Sequence, residues 1–160
     1  MNAAAIMASA AGLEDYLHQA IPLSRSMHVT VVEVTEERAV LSAPLAPNVN
    51  HLGIVFGGSA CTLATLSAWS LLHCRLQSLL PAVSLVLQGS SMQYLRPISS
   101  SFSAQAQLAP DANWELFLRT LRRRGRARIS ATAQLLAGEQ LAGHFAGEFV
   151  ALAAAPKQAR

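Results

Sequence analysis

Apolar positions along the chain follow a helical rhythm first and then a β rhythm, and each change of period marks an element. Leu13 to Ile21 reads as a short amphipathic helix ended by Pro22, a residue that cannot continue a helix interior. From His28 the period becomes two, through Val29, Val31, Val32 and Val34. The chain turns at Glu36-Glu37 and returns as Ala39 to Leu45, a predicted hairpin that Pro44 and Pro47 close. Ala60 to Leu80 has helical composition with no proline before Pro81, and its apolar residues, Leu63, Leu66, Trp69, Leu72, Leu76 and Leu79 among them, fall almost all round. A helix of that kind sits inside a fold rather than on it. Further β segments are predicted over Val83 to Leu95, Ser101 to Leu108, Arg126 to Leu136 and Gln140 to Leu152, the last two joined by the turn Ala137-Gly138-Glu139. Asp111 to Leu121 reads as a short helix with Asp111 near its N-cap. Two strands, a long buried helix and then mostly antiparallel strands give an α+β arrangement, a sheet wrapped round one helix.

Composition narrows the picture. A chain of 160 residues matches one ordinary domain, here 13–152, flanked by a flexible leader over 1–12 and a flexible tail over 153–160. Hydrophobic residues make up 52% and charged ones 13%, which excludes a disordered chain and leaves little polar surface for a monomer, so a homo-oligomer is expected. No Lys or Arg precedes Arg25, so the alanine-rich opening lacks the charged region of a secretory signal, and a cytoplasmic protein is expected. Ala39 to Cys74 carries no charged side chain, but Pro44, Pro47 and Asn48 break it and Ser and Thr stud its apolar half, which favours a buried helix over a membrane span. Cys61 and Cys74 lie thirteen residues apart on the predicted helix. That is about 20 Å of rise, too far for a disulfide. Of His18, His28, His51, His73 and His144, only His73 neighbours a cysteine, so no metal site is expected.

Candidate chemistry gathers at the start of the long helix. Gly57 and Gly58 would let a ligand approach bare backbone N–H groups, and the helix dipole behind them would stabilise an oxygen on which negative charge builds. Tight helix-to-sheet packing is the alternative reason for two glycines there.

The string Asn50-His51-Leu52-Gly53-Ile54-Val55-Phe56-Gly57-Gly58, the strand end Tyr94-Leu95-Arg96-Pro97, and Arg124-Gly125-Arg126 before a strand resemble the hotdog thioesterase superfamily over roughly His28 to Leu152. Phe56 before the glycines, Ser59 after them and the run Ser90-Ser91-Met92-Gln93-Tyr94 are similar to the YiiD C-terminal-type branch, which includes malonyl-ACP decarboxylases. The resemblance implies a hotdog fold and an acyl group carried as a thioester on acyl carrier protein or coenzyme A. It also implies a site formed between protomers, hence a homodimer or a dimer of dimers. Superfamily members that hydrolyse usually carry an Asp or Glu on the central helix about two turns after the glycines. Here Thr65 holds that place, and no carboxylate occurs from Gly57 to Leu80. A threonine hydroxyl orients a ligand or water but is a poor base.

Decarboxylation of a malonyl thioester needs no base at its start, because departing CO₂ leaves its electron pair to an enolate that requires only an electrophilic cradle. The expected function is therefore a cofactor-independent malonyl-ACP decarboxylase making acetyl-ACP at the start of fatty acid synthesis. An acyl-CoA or acyl-ACP thioesterase and a non-catalytic acyl-thioester binding module are the alternatives. Asn50, Gly58, Thr65 and Ser90 are the candidate catalytic residues, with Ser59 as a further proton donor. His51, Val55, Phe56, Gly57, Ser59, Arg96 and Arg124 are the candidate substrate contacts. Each has a structural alternative: Asn50 as a turn residue, Thr65 bonded back to its own helix, Ser90 as a sheet hydroxyl, His51 as a loop residue. Cys61 suits a small core position better than a nucleophile's. The carboxylates mostly fall at turns or strand ends and suit solvent, and among them Glu148 alone is kept as a candidate to reach a partner's site. Six of the twelve basic residues crowd into Arg119 to Arg128 without interleaved aromatics, which argues against nucleic acid and for phosphates or an acidic carrier face, with Arg96 joining.

Overall fold

The computed structural model describes residues 9–80 and 82–153, so most of the expected leader and tail lies outside the described residues. Two helices open it, α1 (Ala10–Ala20) and α2 (Pro22–Ser26), followed by β1 (Thr30–Val34) and β2 (Ala39–Ala43). A 3₁₀ turn, Ala46–Asn48, leads to the long helix α3 (Gly57–Leu79), then β3 (Val83–Tyr94), β4 (Phe102–Leu108), α4 (Trp114–Arg124), β5 (Arg126–Ala137) and β6 (Gln140–Ala153). Among the described residues, six antiparallel strands form one sheet in the order β1-β2-β4-β5-β6-β3. The sheet wraps α3, as the all-round apolar pattern of that helix requires. Among the described residues, no helix is long and apolar enough to cross a membrane.

Three local expectations are corrected. Pro22 does not simply end a helix; it starts α2 from its first turn, where its missing N–H costs nothing. His28 is not in a strand: it takes a left-handed φ of 55° in the turn after α2, and pairing begins at Thr30. The helix expected over Asp111 to Leu121 runs from Trp114 to Arg124, because Asp111 lies in a turn and the extended Asn113 accepts the Leu116 N–H at 2.9 Å as the N-cap. Gly125, at φ 68°, closes that helix in the left-handed region.

The core fills the space between α3 and the inner sheet face, with Leu63, Leu71 and Leu72 of the helix against Leu41, Leu135, Phe145 and Phe149. Ser67 is fully buried on α3, and its hydroxyl lies 2.8 Å from the Ala39 carbonyl oxygen and 3.0 Å from that of Ala104, fixing the helix over β2 and β4. Further along, the rings of Tyr16, Trp69 and His73 stack, with Trp69 and His73 centroids 4.2 Å apart, and the Trp69 indole donates to the Leu85 carbonyl at 3.0 Å.

His73 is 6% exposed, and burial holds its imidazole neutral, its pKa lowered to about 4. An unfolded histidine titrates near 6.5, so between about pH 6.5 and 4 the unfolded chain binds a proton that the folded chain refuses. This contribution is complete above that window and is lost as pH falls through it. The expected loss is about 2–3 kcal/mol, read as a falling urea midpoint. His73→Phe should flatten that acid limb; an unchanged limb would assign it to other groups.

Candidate active site

The loop before α3 folds on itself through two asparagines. Asn50 Oδ1 accepts the Leu52 N–H at 2.8 Å and the Ile54 N–H at 3.4 Å, while the Asn50 and Ile54 main chains bond at 2.8 Å. Gly53, at φ 74°, makes the reversal. With the oxygen committed to the loop, the Asn50 amide nitrogen is left to donate elsewhere, and the side chain is half-buried. Asn48, to which the sequence assigned no role, is 1% exposed; its amide donates to the Met27 and Pro44 carbonyls at 2.9 and 2.8 Å. Its own carbonyl takes the Phe56 N–H at 2.7 Å, and the Val55 N–H bonds to Ile98 at 2.8 Å. Asn48 is therefore the post that fixes the start of α3.

Phe56 is the extended N-cap of α3, and among the described residues no side chain caps the helix. The first-turn N–H groups, which no α-helix satisfies internally, stay available to a ligand. A Cβ at Gly58 would overlap the exposed Phe56 ring unless that ring swung away, whereas one at Gly57 would stand in ordinary contact with the Tyr94 ring at 3.4 Å. Beside this turn lies a hollow of about 400 Å³, walled by Val55, Ala60, Ile98 and Leu135, with Tyr94 and Arg96 also lining it.

The remaining candidates are placed as follows. Val55 is buried, Ser59 half-buried and His51 exposed. Thr65 is half-buried and donates to the Cys61 carbonyl at 2.9 Å, a bond back to its own helix. Ser90 lies in register with Gly147 and Ala131, on the face of β3 turned toward α3. Burial pushes the Cys74 thiol up to about 11. Glu148 sits at the outer face beside Arg128, 3.7 Å away, and Arg128 also bonds Gln88 at 2.7 Å. Arg124 is distant within one chain: Arg126 shares a cross-strand row with Leu152 and Ser84 at the start of β3, ten residues before Tyr94. That separation is roughly 33 Å along the strand. Arg96 and Arg124 thus form no joint surface in a single chain.

Sequence reasoning gave Tyr94 no role. Its hydroxyl donates to the Gly57 carbonyl at 2.8 Å, and partial burial followed by the Cys61 thiol raise its pKa. The signal was the period-two run Ser90, Met92, Tyr94, which puts all three side chains on one face.

A long helix wrapped by one antiparallel sheet, with its uncapped N-terminus opening beside an apolar hollow, defines a hotdog domain of the acyl-thioester enzymes. The chain belongs to the family described as "Putative thioesterase (yiiD_Cterm)", whose model matches residues 10–153. It is similar to the crystal structure of the "putative thioesterase from Shewanella oneidensis", with 30% identity over 89% of this chain and 96% of that one and a TM-score of 0.77. A Chlorobaculum tepidum protein of unknown function superposes with a TM-score of 0.80 at 22% identity, covering 92% of this chain and 98% of that one. A Haemophilus influenzae thioesterase of class EC 3.1.2.- superposes at 0.75 with 12% identity, over 94% and 95% of the two chains. These last two share the fold.

Proposed function

We propose that this protein decarboxylates a malonyl thioester to an acetyl thioester, holding the enolate at the uncapped start of α3. The observation that carries this is the pairing of an intact electrophilic half with a missing base. Asn50, in the loop that feeds the Gly57-Gly58 turn, has its oxygen taken by Leu52 and Ile54 and its amide nitrogen unused by any described residue, while no carboxylate occurs anywhere on α3. The bond from the methylene to the carboxylate breaks, CO₂ leaves without the electron pair, and the pair becomes the enolate whose oxygen meets the N–H donors. A proton then adds to carbon. Apolar Val55 lines the hollow, and the exposed Phe56 stands next to it at the helix start. The reaction requires no cofactor in this reading.

Hydrolysis of an acyl thioester is the second reading, favoured by family membership and by the Shewanella relative. Thr65 and Asn50 would order the attacking water, a weaker arrangement than a carboxylate base because the Thr65 hydroxyl already donates to Cys61. Incubation with malonyl and saturated acyl thioesters, on both coenzyme A and acyl carrier protein, distinguishes these. Decarboxylation releases CO₂ from the malonyl substrates without free thiol. Free thiol from the saturated series supports hydrolysis, and tight binding without either product supports a non-catalytic binding module.

The working unit in this proposal is a pair of copies joined along β3. That strand ends the sheet, its outer edge carries no partner among the described residues, and Val86 and Leu87 are exposed on it at 49% and 38%. Antiparallel pairing of two β3 edges brings the start of one beside the end of the other, so the partner's Arg124 approaches Tyr94 and Arg96. The exposed arginines of α4 then supply positive charge near the site for the phosphates of coenzyme A or the acidic face of a carrier protein.

A further inference from the structure

We propose that the Tyr94 hydroxyl is a substrate-contacting donor, which leaves the Gly57 carbonyl when an acyl thioester enters and hydrogen-bonds the acyl group. This rests on the acyl-thioester reading above.

Position is the first ground. Tyr94 ends the inner-face run of β3 and lines the hollow beside the helix start, with its hydroxyl 2.8 Å from the Gly57 carbonyl oxygen. The ring lies against Gly57, near enough that a Cβ there would touch it at 3.4 Å. An acyl group in the hollow, with its oxygen toward the first-turn N–H groups, passes this hydroxyl.

The second ground is that the Tyr94 bond is redundant for the helix. The Gly57 carbonyl belongs to the i→i+4 ladder of α3 and has the Cys61 N–H as its partner there. Losing the phenol leaves no orphaned carbonyl. Tyr94 is also 55% exposed, so the hydroxyl can turn without breaking core packing.

Third, the competing hydroxyls are placed less well. Thr65, Ser59 and Ser90 are all absent from the lining of the hollow, which Tyr94 does line. The raised pKa keeps the Tyr94 phenol protonated, hence a donor, at neutral pH.

Tyr94→Phe keeps the ring against Gly57 and deletes only the hydroxyl. The full-length variant and wild type are compared on the thioester that wild type turns over best, and on a stable ketone analogue of acetyl-coenzyme A labelled with ¹³C at the carbonyl. The expected result is a kcat lowered about 100-fold with KM changed less than about threefold. The bound carbonyl resonance should move toward its value in free analogue, while thermal stability stays at the wild-type level. A purely structural tie would lower stability and leave the bound resonance in place, overturning the proposal. A wild-type kcat in the variant overturns it as well, without touching the acyl-thioester reading. A wild-type protein that neither binds the analogue nor turns over any thioester overturns both.

Discussion

Replacing Asn50 by Asp should lower turnover at least about 100-fold while leaving the melting temperature close to wild type, because the two ends of this amide do separate jobs. The Oδ1 end accepts the Leu52 and Ile54 N–H groups and holds the loop. A carboxylate oxygen at the same place accepts them equally well. The nitrogen end, which no loop group uses, becomes an anionic oxygen in the variant, set where negative charge has to develop on the substrate. Loss of one preorganised donor costs about 10²–10³ in rate, and an added like charge deepens the loss. Asn50→Ala removes both ends and should lose rate and loop order together. Steady-state kinetics with thermal melts on both variants separate the roles. An Asp variant as active as wild type would remove the Asn50 amide from the mechanism.

Asn48→Ala should be the most destabilising single change near the site. Its amide donates to two carbonyls, of Met27 in the interior and of the half-buried Pro44, which join the turn after α2 to the end of β2. Truncation leaves both acceptors short of a partner and opens a small void, at about 1–3 kcal/mol per unsatisfied group. The buried Oδ1 of Asn48, itself without a partner among the described residues, disappears in the variant and offsets part of that loss. A net cost of about 3 kcal/mol corresponds to a melting temperature roughly 10 °C lower for a chain of this size. Because the Asn48 carbonyl also receives the Phe56 N–H, hydrogen exchange at the start of α3 should quicken in the same variant. A melting temperature within about 1 °C of wild type would show that the post is dispensable.

The long helix was legible because its apolar residues surround it, a pattern only an enclosed helix tolerates. The strands were legible from alternation, to within a residue or two at most ends. What escaped the sequence was local competition between neighbouring polar residues and pairing over long range. Asp111 and Asn113 are both good caps, and only the turn at Ala109–Ala112 decides for Asn113. Asn48 and Asn50 lie two residues apart in one loop, yet one is sealed in the interior and the other half-buried at the site, a difference set by Met27, distant in sequence. The candidate centre itself was visible as one contiguous string, Asn50 to Gly58, since a loop and the helix it feeds are local. Tyr94 and Arg124 were not placeable, because β3 crosses the sheet to pair with β6, and that crossing brings Tyr94 to Gly57 and carries Arg124 to the other end.

The most direct test of an enolate held without a base is the intact mass of malonyl-ACP after incubation with the wild-type protein in deuterium oxide. The expected product is acetyl-ACP, with the thioester whole, one CO₂ lost and one deuterium gained on the methyl carbon. Free carrier thiol with malonate released would instead mean that water, not the enolate carbon, is the group this site activates.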